Sequence, residues 1–348
     1  MRLGLKAGEW VVVRAKEEIL ATLDGRGRLE GMPFQPEMFA HCGKRFRVGK
    51  VAHKTCDTVL NTGSRSVPAA VHLEGVRCDG SAHNGCQARC LMFWKEAWLR
   101  RPLDPGEGAE VNPLARRIDS GKEALIHSAV VAPGTDPSDP DPVWVCQTTA
   151  LPEMSRPLRW WDPRQYARDV LTGNHSAWKV MRMVSFATFR FALRFGAGNR
   201  FLLACYDAFQ ELRGGKPYPR AAGTIPLGRP TPHEALDLQV GETVVVKSPD
   251  EIRATLNVQG RNRGMWFDQE MVKYCGNAYA VELRVERLID EKTGKMLVMK
   301  NPCIQLRGVV CKGECTADRL GCPREINSYW REIWLRRSSG DPPMAVSR

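Results

Sequence analysis

The sequence predicts an α+β protein of two homologous, small β-rich lobes, each with a cysteine-rich metal site and a closing helix, joined by a helical segment. Three observations carry this expectation. The stretch Gly8–Cys78 is written twice, and its second copy, Gly241–Cys311, lies at an offset of 233 with no net gap. Within each copy the apolar residues come in short runs bounded by Gly, Pro, Asn and Asp, which is the pattern of strands and turns. The middle of the chain instead carries three longer segments with helical spacing.

The repeat is close. Over Gly8–Gly43, 19 of 36 positions are identical, and GMPFQPEMFAHCG returns as GMWFDQEMVKYCG. Past Cys78 the second copy gains three residues. At the new offset of 236, Cys86 corresponds to Cys322 and Phe93–Arg101 to Tyr329–Arg337. A period this long marks repeated structural modules.

Taken in order, Trp10–Arg14 reads as a strand and Lys16–Leu23 as one or two helical turns. Gly25–Gly31 is a Gly/Arg loop, and Arg45–Val51 and Val71–Val76 are further strands. Leu91–Arg101 reads as the closing amphipathic helix, with Phe93, Trp94 and Trp98 inward and Lys95, Arg100 and Arg101 in water. A small twisted barrel of the SH3-like kind fits this set of strands. The first lobe is residues 1–101. Residues 102–154 form a Pro/Gly/Asp-rich connector with strand candidates at Ala124–Val130 and Val143–Thr148. Residues 155–215 are a basic helical segment: Trp160–Thr172 with Pro163 in its first turn, Ser176–Phe195 stopped by Gly196 and Gly198, and Asn199–Arg213. A linker at 216–235, the second lobe at 236–338 and a frayed tail at 339–348 complete the chain.

The 348 residues suffice for two or three domains, and 43% hydrophobic residues allow a real core. The net charge is +12, and Ser155–Pro230 alone holds thirteen Lys/Arg against four Asp/Glu. That concentration suits an anionic partner, a nucleic acid or a membrane surface. No window has the length and apolarity of a transmembrane helix, and the N-terminus lacks a secretory pattern. The expectation is a cytoplasmic protein with reduced thiols, whose twelve cysteines need a role other than disulfides.

Metal binding is the expected role, with buried unligated or oxidised cysteines as the plain alternative. Cys42, Cys78 and Cys86 recur as Cys275, Cys311 and Cys322, with Cys90 or Cys56 available as a fourth thiol in the first lobe and Cys315 or Cys303 in the second, of which Cys90 and Cys315 are the expected ligands. Three or four thiols from a loop and the following knot match a tetrahedral zinc site, and an iron–sulfur cluster is the alternative. His53, His83 and Cys56 lie in the first lobe only: His53 maps to Glu286, Cys56 to Ile289 and Cys90 to Ile326. A Cys56–His53 thiolate–imidazolium pair, or an open metal site including His83, would make the first lobe catalytic. Glu37/Glu270 and Glu96/Glu332 also recur; a recurring glutamate fits a general base, but pairing with the basic loop residues Arg28/Arg261 is the expectation. No phosphate-binding GxxxxGK[ST], HExxH or GxSxG signature is present. The functional expectation is a metal-stabilised binding or scaffold protein whose basic centre meets an anionic partner. The alternative is a metal or thiol enzyme acting in the first lobe.

Overall fold

The computed structural model describes residues 2–103, 120–136, 138–193, 199–215, 217–316 and 319–338. Its helices and antiparallel sheets fit the α+β class. The chain forms two units, each drawn from several stretches: unit 1 is Met1–Val184, Arg287–Val298 and Ala317–Glu325, and unit 2 is Ser185–Glu286, Met299–Thr316 and Ile326–Arg348.

In unit 1, β1 (Trp10–Val13) buries all three of its valines. Helix α1 (Lys16–Thr22) starts where the Glu18 carboxylate accepts the Ala15 N–H at 3.0 Å, and it turns Ile19 and Leu20 inward. A short ladder of β2 (Arg28–Leu29) and β3 (Met32–Pro33) leads to a 3₁₀ turn, Pro36–His41. Strand β4 (Arg45–Val51) pairs with β1, β5 (Lys54–Cys56) and β6 (Ser64–Ser66) form a hairpin, and β7 (Ala70–Arg77) returns along β4. Strand β8 (Leu91–Lys95) adds to β7, and β9 (Leu99–Arg100) closes on the free side of β1. The order is β8-β7-β4-β1-β9, with a 3₁₀ turn, Glu96–Trp98, between β8 and β9.

The expected closing helix at Leu91–Arg101 is therefore a strand, a 3₁₀ turn and a strand. The reason is burial on both faces: all five residues of β8 are buried, so no alternation marks it as a strand. Lys95 is among them, its ammonium donating to Glu30 at 2.7 Å and to the Pro68 carbonyl at 3.1 Å instead of facing water.

The connector holds α2 (Ser120–Ser128), where a strand was expected at Ala124–Val130. Lys122 bonds the Leu20 carbonyl, Glu123 pairs with Lys16, and Ile126 enters the core, contacts that need helical spacing. Val143–Thr148 contributes a single bridge, Trp144 to Val131. Then come α3 (Leu151–Met154), β10 (Arg156–Leu158) paired with β6, and α4 (Pro163–Leu171), capped by Asp162 on the Arg164 N–H at 3.0 Å. Helices α5 (Ala177–Ala192) and α6 (Asn199–Leu212) match the expected segments. The glycine stop at Gly196–Gly198, most of the Pro102–Pro113 connector and the 339–348 tail lie outside the described residues.

Unit 2 repeats the plan. It has β11 (Thr243–Val246), α7 (Pro249–Ala254), the ladder β12 (Arg261–Asn262) with β13 (Met265–Trp266), a 3₁₀ turn Gln269–Tyr274, and β14 (Ala278–Arg284). The following hairpin, β15 (Arg287–Ile289) with β16 (Met296–Val298), belongs to unit 1. Strands β17 (Ile304–Val310), β18 (Asn327–Trp330) and β19 (Leu335–Arg337) finish a sheet of order β18-β17-β14-β11-β19. The same long-range bonds recur at the repeat offset. Glu96 accepts the N–H groups of Leu3 and Gly4 at 2.5 and 3.0 Å, as Glu332 accepts those of Leu236 and Asp237 at 2.6 and 3.0 Å. Trp98 donates to Thr22 at 3.1 Å, as Trp334 donates to Thr255 at 3.0 Å. These glutamates and tryptophans tie the start of each repeat to its end.

Candidate metal centre

The loop between β7 and β8 is folded back by its own backbone. Cys78 N–H bonds the Cys90 carbonyl at 2.9 Å across its mouth, and the N–H groups of His83 and Gly85 both reach the Gly80 carbonyl at 3.0 Å. Gly80 has φ +75°, and a Cβ there would sit 2.1 Å from the Cys86 carbonyl oxygen, so only glycine fits. This turn lays His83 back toward Cys78. The 3₁₀ turn Pro36–His41 brings the buried Glu37 to the same point.

One oxygen, Glu37 Oε1, lies 2.8 Å from His83 Nδ1, 3.7 Å from Cys78 Sγ and 3.2 Å from the Ala82 amide. Among the described residues, Glu37, Cys78 and His83 are the one group of three potential ligands whose donor atoms lie within 4.8 Å of one another. His83 Nε2 faces the Val145 carbonyl at 3.1 Å. If Nε2 carries the proton, Nδ1 presents a lone pair to a carboxylate, and a cation between the two resolves that opposition. A doubly protonated ring would resolve it as well. Glu37 Oε2 is buried and has no partner. Burial pulls the Glu37 carboxyl upward, but the His83 hydrogen bond and charge and the backbone amides outweigh it, leaving the group below its ordinary range. Burial, reinforced by the Glu37 carboxylate, pushes the Cys78 thiol up. Without a metal Cys78 is thus a neutral thiol, and a bound cation is what would ionise it. A cavity of about 30 Å³, room for one water-sized species, opens beside the triad and is lined by Cys78, His83, Cys86, Cys90, Cys146 and Gln147.

The expected thiols are distributed differently. Cys42 points into the apolar core, its Sγ 3.9 Å from the Met38 carbonyl, and burial pushes it up to about 12. Cys86 accepts the Ile289 amide at 3.3 Å, and burial pushes Cys90 up to about 12. Cys275 is buried against the core of unit 2, where Cys311 also lies, and the Cys315 amide bonds Glu270 at 2.5 Å. Burial pushes the Cys315 thiol up to about 12. Cys322 belongs to unit 1, where it accepts the Cys56 amide at 3.2 Å.

His53 and Cys56 do not form the expected pair. Side chains alternate along β5 and its approach, so residues three apart take opposite faces. His53 Nε2 lies 3.3 Å from the Gln165 carbonyl and 3.4 Å from Asp169. Burial and the charges of Lys54 and Arg168 lower its pKa to about 3, so the ring is neutral and its contact with Asp169 is not an ion pair. The ionic partner of Asp169 is Lys54, at 2.6 Å, with both side chains buried.

Two features escaped the sequence reading. Glu37 was visible as a recurring residue, but its expected partner Arg28 pairs with Glu153 at 2.5 Å. Arg261 stacks on Trp266 with its guanidinium 4.8 Å from the ring centre. The buried Lys54–Asp169 pair had no sequence signal. In comparisons with known proteins, neither a protein-family model nor a curated protein matches the chain.

Proposed function

We propose that this chain is a metal-binding scaffold protein with Glu37, Cys78 and His83 holding one divalent ion. The observation that carries the reading is the mutual approach of a carboxylate, a thiol and an imidazole in a buried pocket. Bonds of about 2.0–2.3 Å in a tetrahedral shell put ligand atoms roughly 3.3–3.8 Å apart. The 3.7 Å contact already matches, and the 2.8 Å contact needs a modest opening. One thiolate with nitrogen and oxygen suits zinc, whereas an iron–sulfur cluster requires several thiolates. In the second repeat Glu270 and Cys311 match Glu37 and Cys78, but Thr316 stands at the position of His83, so one ion per chain is expected.

The shared strand order, with the last strand beside the first and a 3₁₀ turn before it, supports two related barrels of the SH3-like kind descended from a duplication. The basic helices supply the contact with an anionic partner. Trp178 and Met181 on α5 are exposed beside Lys179 and Arg182, and Phe201, Phe209 and Leu212 on α6 are exposed with Arg200 and Arg213 nearby. Exposed Met181 and Leu212, which offer no ring for base stacking, lie with the aromatic residues among cations and suit an anionic membrane surface. No helix among the described residues is long and apolar enough to cross a membrane. Arg190, also on α5, donates to the Cys315 carbonyl, and Arg194 lies outside the described residues.

A metalloenzyme in the first repeat is the second reading, favoured by the ligand count: three protein ligands leave a fourth position for water or substrate. Elemental analysis of protein loaded with zinc and then freed of excess metal tests the first. One zinc per chain is expected, lost in Cys78→Ser and His83→Gln and kept in Cys275→Ser. Zinc retained in all three, or bound by none, refutes the assignment.

A further inference from the structure

We infer that Cys56 and Cys322 are a dithiol redox site, closing reversibly to a disulfide that staples the β5–β6 hairpin to the loop preceding β18. They lie 266 residues apart in sequence, yet the Cys56 amide donates to Cys322 Sγ at 3.2 Å. All of the site belongs to unit 1.

The arrangement has a matched counterpart. The Ile289 amide donates to Cys86 Sγ at 3.3 Å, and Ile289 and Cys86 are the repeat equivalents of Cys56 and Cys322. Each hairpin thus offers an amide to a cysteine of the other repeat. Only one of the two contacts has a second cysteine on the hairpin. The shared amide–sulfur bond explains a structural cysteine; it does not explain the added thiol.

The surroundings suit an anion and oppose a metal cation. Arg324 is buried, donating to Thr58 at 2.7 Å and Glu291 at 2.6 Å, while its Nε has no hydrogen-bond partner. Lys54 shares the Cys56 face of β5, two residues away, and its ammonium and the Asp169 carboxylate press on Gly321. A Cβ there would lie 3.0 Å from Lys54 Nζ. Glycine at this position lets the loop bring Cys322 in. The neighbouring Cys322 thiol lowers the Cys56 pKa, burial opposes it, and the charges of Arg324 and Arg319 lower it further, so the group lies below the ordinary thiol value. A thiolate is the reactive form toward peroxides. Both cysteines are 7% exposed, so the oxidant must be small.

With hydrogen peroxide the chemistry balances. The Cys56 thiolate attacks one peroxide oxygen, breaking the O–O bond, and with one proton gives a sulfenic acid and water. The Cys322 thiol then loses its proton and attacks that sulfur, and hydroxide leaves as a second water. Two thiols lose two electrons and two protons, and one peroxide becomes two waters.

The test treats native full-length protein with near-stoichiometric hydrogen peroxide, blocks free thiols under denaturing acid conditions, and maps tryptic peptides without reductant. Cys56 and Cys322 fall in separate single-cysteine peptides, Thr55–Arg65 and Leu320–Arg324. The expected result is a cross-linked pair of these peptides, lighter by two hydrogens than their sum and released by dithiothreitol. Cys322→Ser should lose the cross-link and accumulate a sulfenic acid at Cys56 that dimedone traps. Recovery of both peptides as blocked thiols while exposed Cys205 is oxidised overturns the inference. So does cross-linking of Cys56 no more selective than in unfolded protein. The mapping of the unaltered chain decides even if the variant does not fold.

Discussion

Removing one partner of the Lys54–Asp169 pair should loosen unit 1 far more than removing both. The ammonium and carboxylate meet at 2.6 Å, with side chains 1% and 0% exposed, and the Tyr166 ring lies 4.9 Å from Nζ. Burial is the largest influence on each group. It lowers Lys54 and raises Asp169 despite their mutual attraction, so the attraction does not fully offset the desolvation of the pair. Lys54→Met leaves a buried carboxylate alone, at a cost of about 3–5 kcal/mol, whereas Lys54→Met with Asp169→Leu should lie near neutral. The two units make a single unfolding free energy ill-defined, so the assay is hydrogen exchange of peptides covering β5 and α4. The single variant should exchange roughly 10²–10⁴-fold faster at neutral pH, taking about 1.4 kcal/mol per decade. Asp169 binds its proton more tightly folded than unfolded. Its burden on Lys54→Met therefore grows as pH rises above the unfolded carboxyl value, about 3.9, and is relieved in acid. Equal exchange in wild type and single variant, or a double variant as labile as the single, refutes this reasoning.

Two further outcomes follow from buried groups. His53 and His72 are held neutral, lowered to about 3 and about 4 chiefly by burial, so the unfolded chain takes up protons that the folded one refuses. Stability should be full above about pH 6.5 and fall below it by up to about 1.4 kcal/mol per pH unit for each histidine. Exchange in unit 1 at pH 7.5 and 5.5 checks this, and His53→Gln should flatten the slope. Glu96→Gln and Glu332→Gln each weaken charge-assisted amide bonds, so each should cost about 1.5–3 kcal/mol in its own unit, with Glu332→Gln the costlier because Glu332 also accepts the Leu238 amide and pairs with Arg284. Exchange at Leu3–Gly4 and at Leu236–Asp237 reads them separately.

Three strands were legible in the sequence: Trp10–Val13 as a run of β-branched valines, Arg45–Val51 by its alternation, and Ala70–Arg77 around the expected Val71–Val76. Leu91–Lys95 was not, because a strand covered on both faces loses its period and its aromatics then imitate a helix. Around the candidate site, Cys78 and His83 stood out by recurrence and by asymmetry between the copies. Glu37 stood out too, but only folding shows that it faces His83 and not the arginine loop. The meeting of Cys56 with Cys322 could not be read at all. It depends on each hairpin packing against a loop of the other repeat, and no local pattern encodes that.

The most direct measurement of the metal assignment is X-ray absorption at the zinc edge of the loaded protein. Glu37, Cys78 and His83 predict one sulfur neighbour at about 2.3 Å, with nitrogen and oxygen at about 2.0–2.2 Å. A shell of three or four sulfurs, or of nitrogen and oxygen alone, would contradict it.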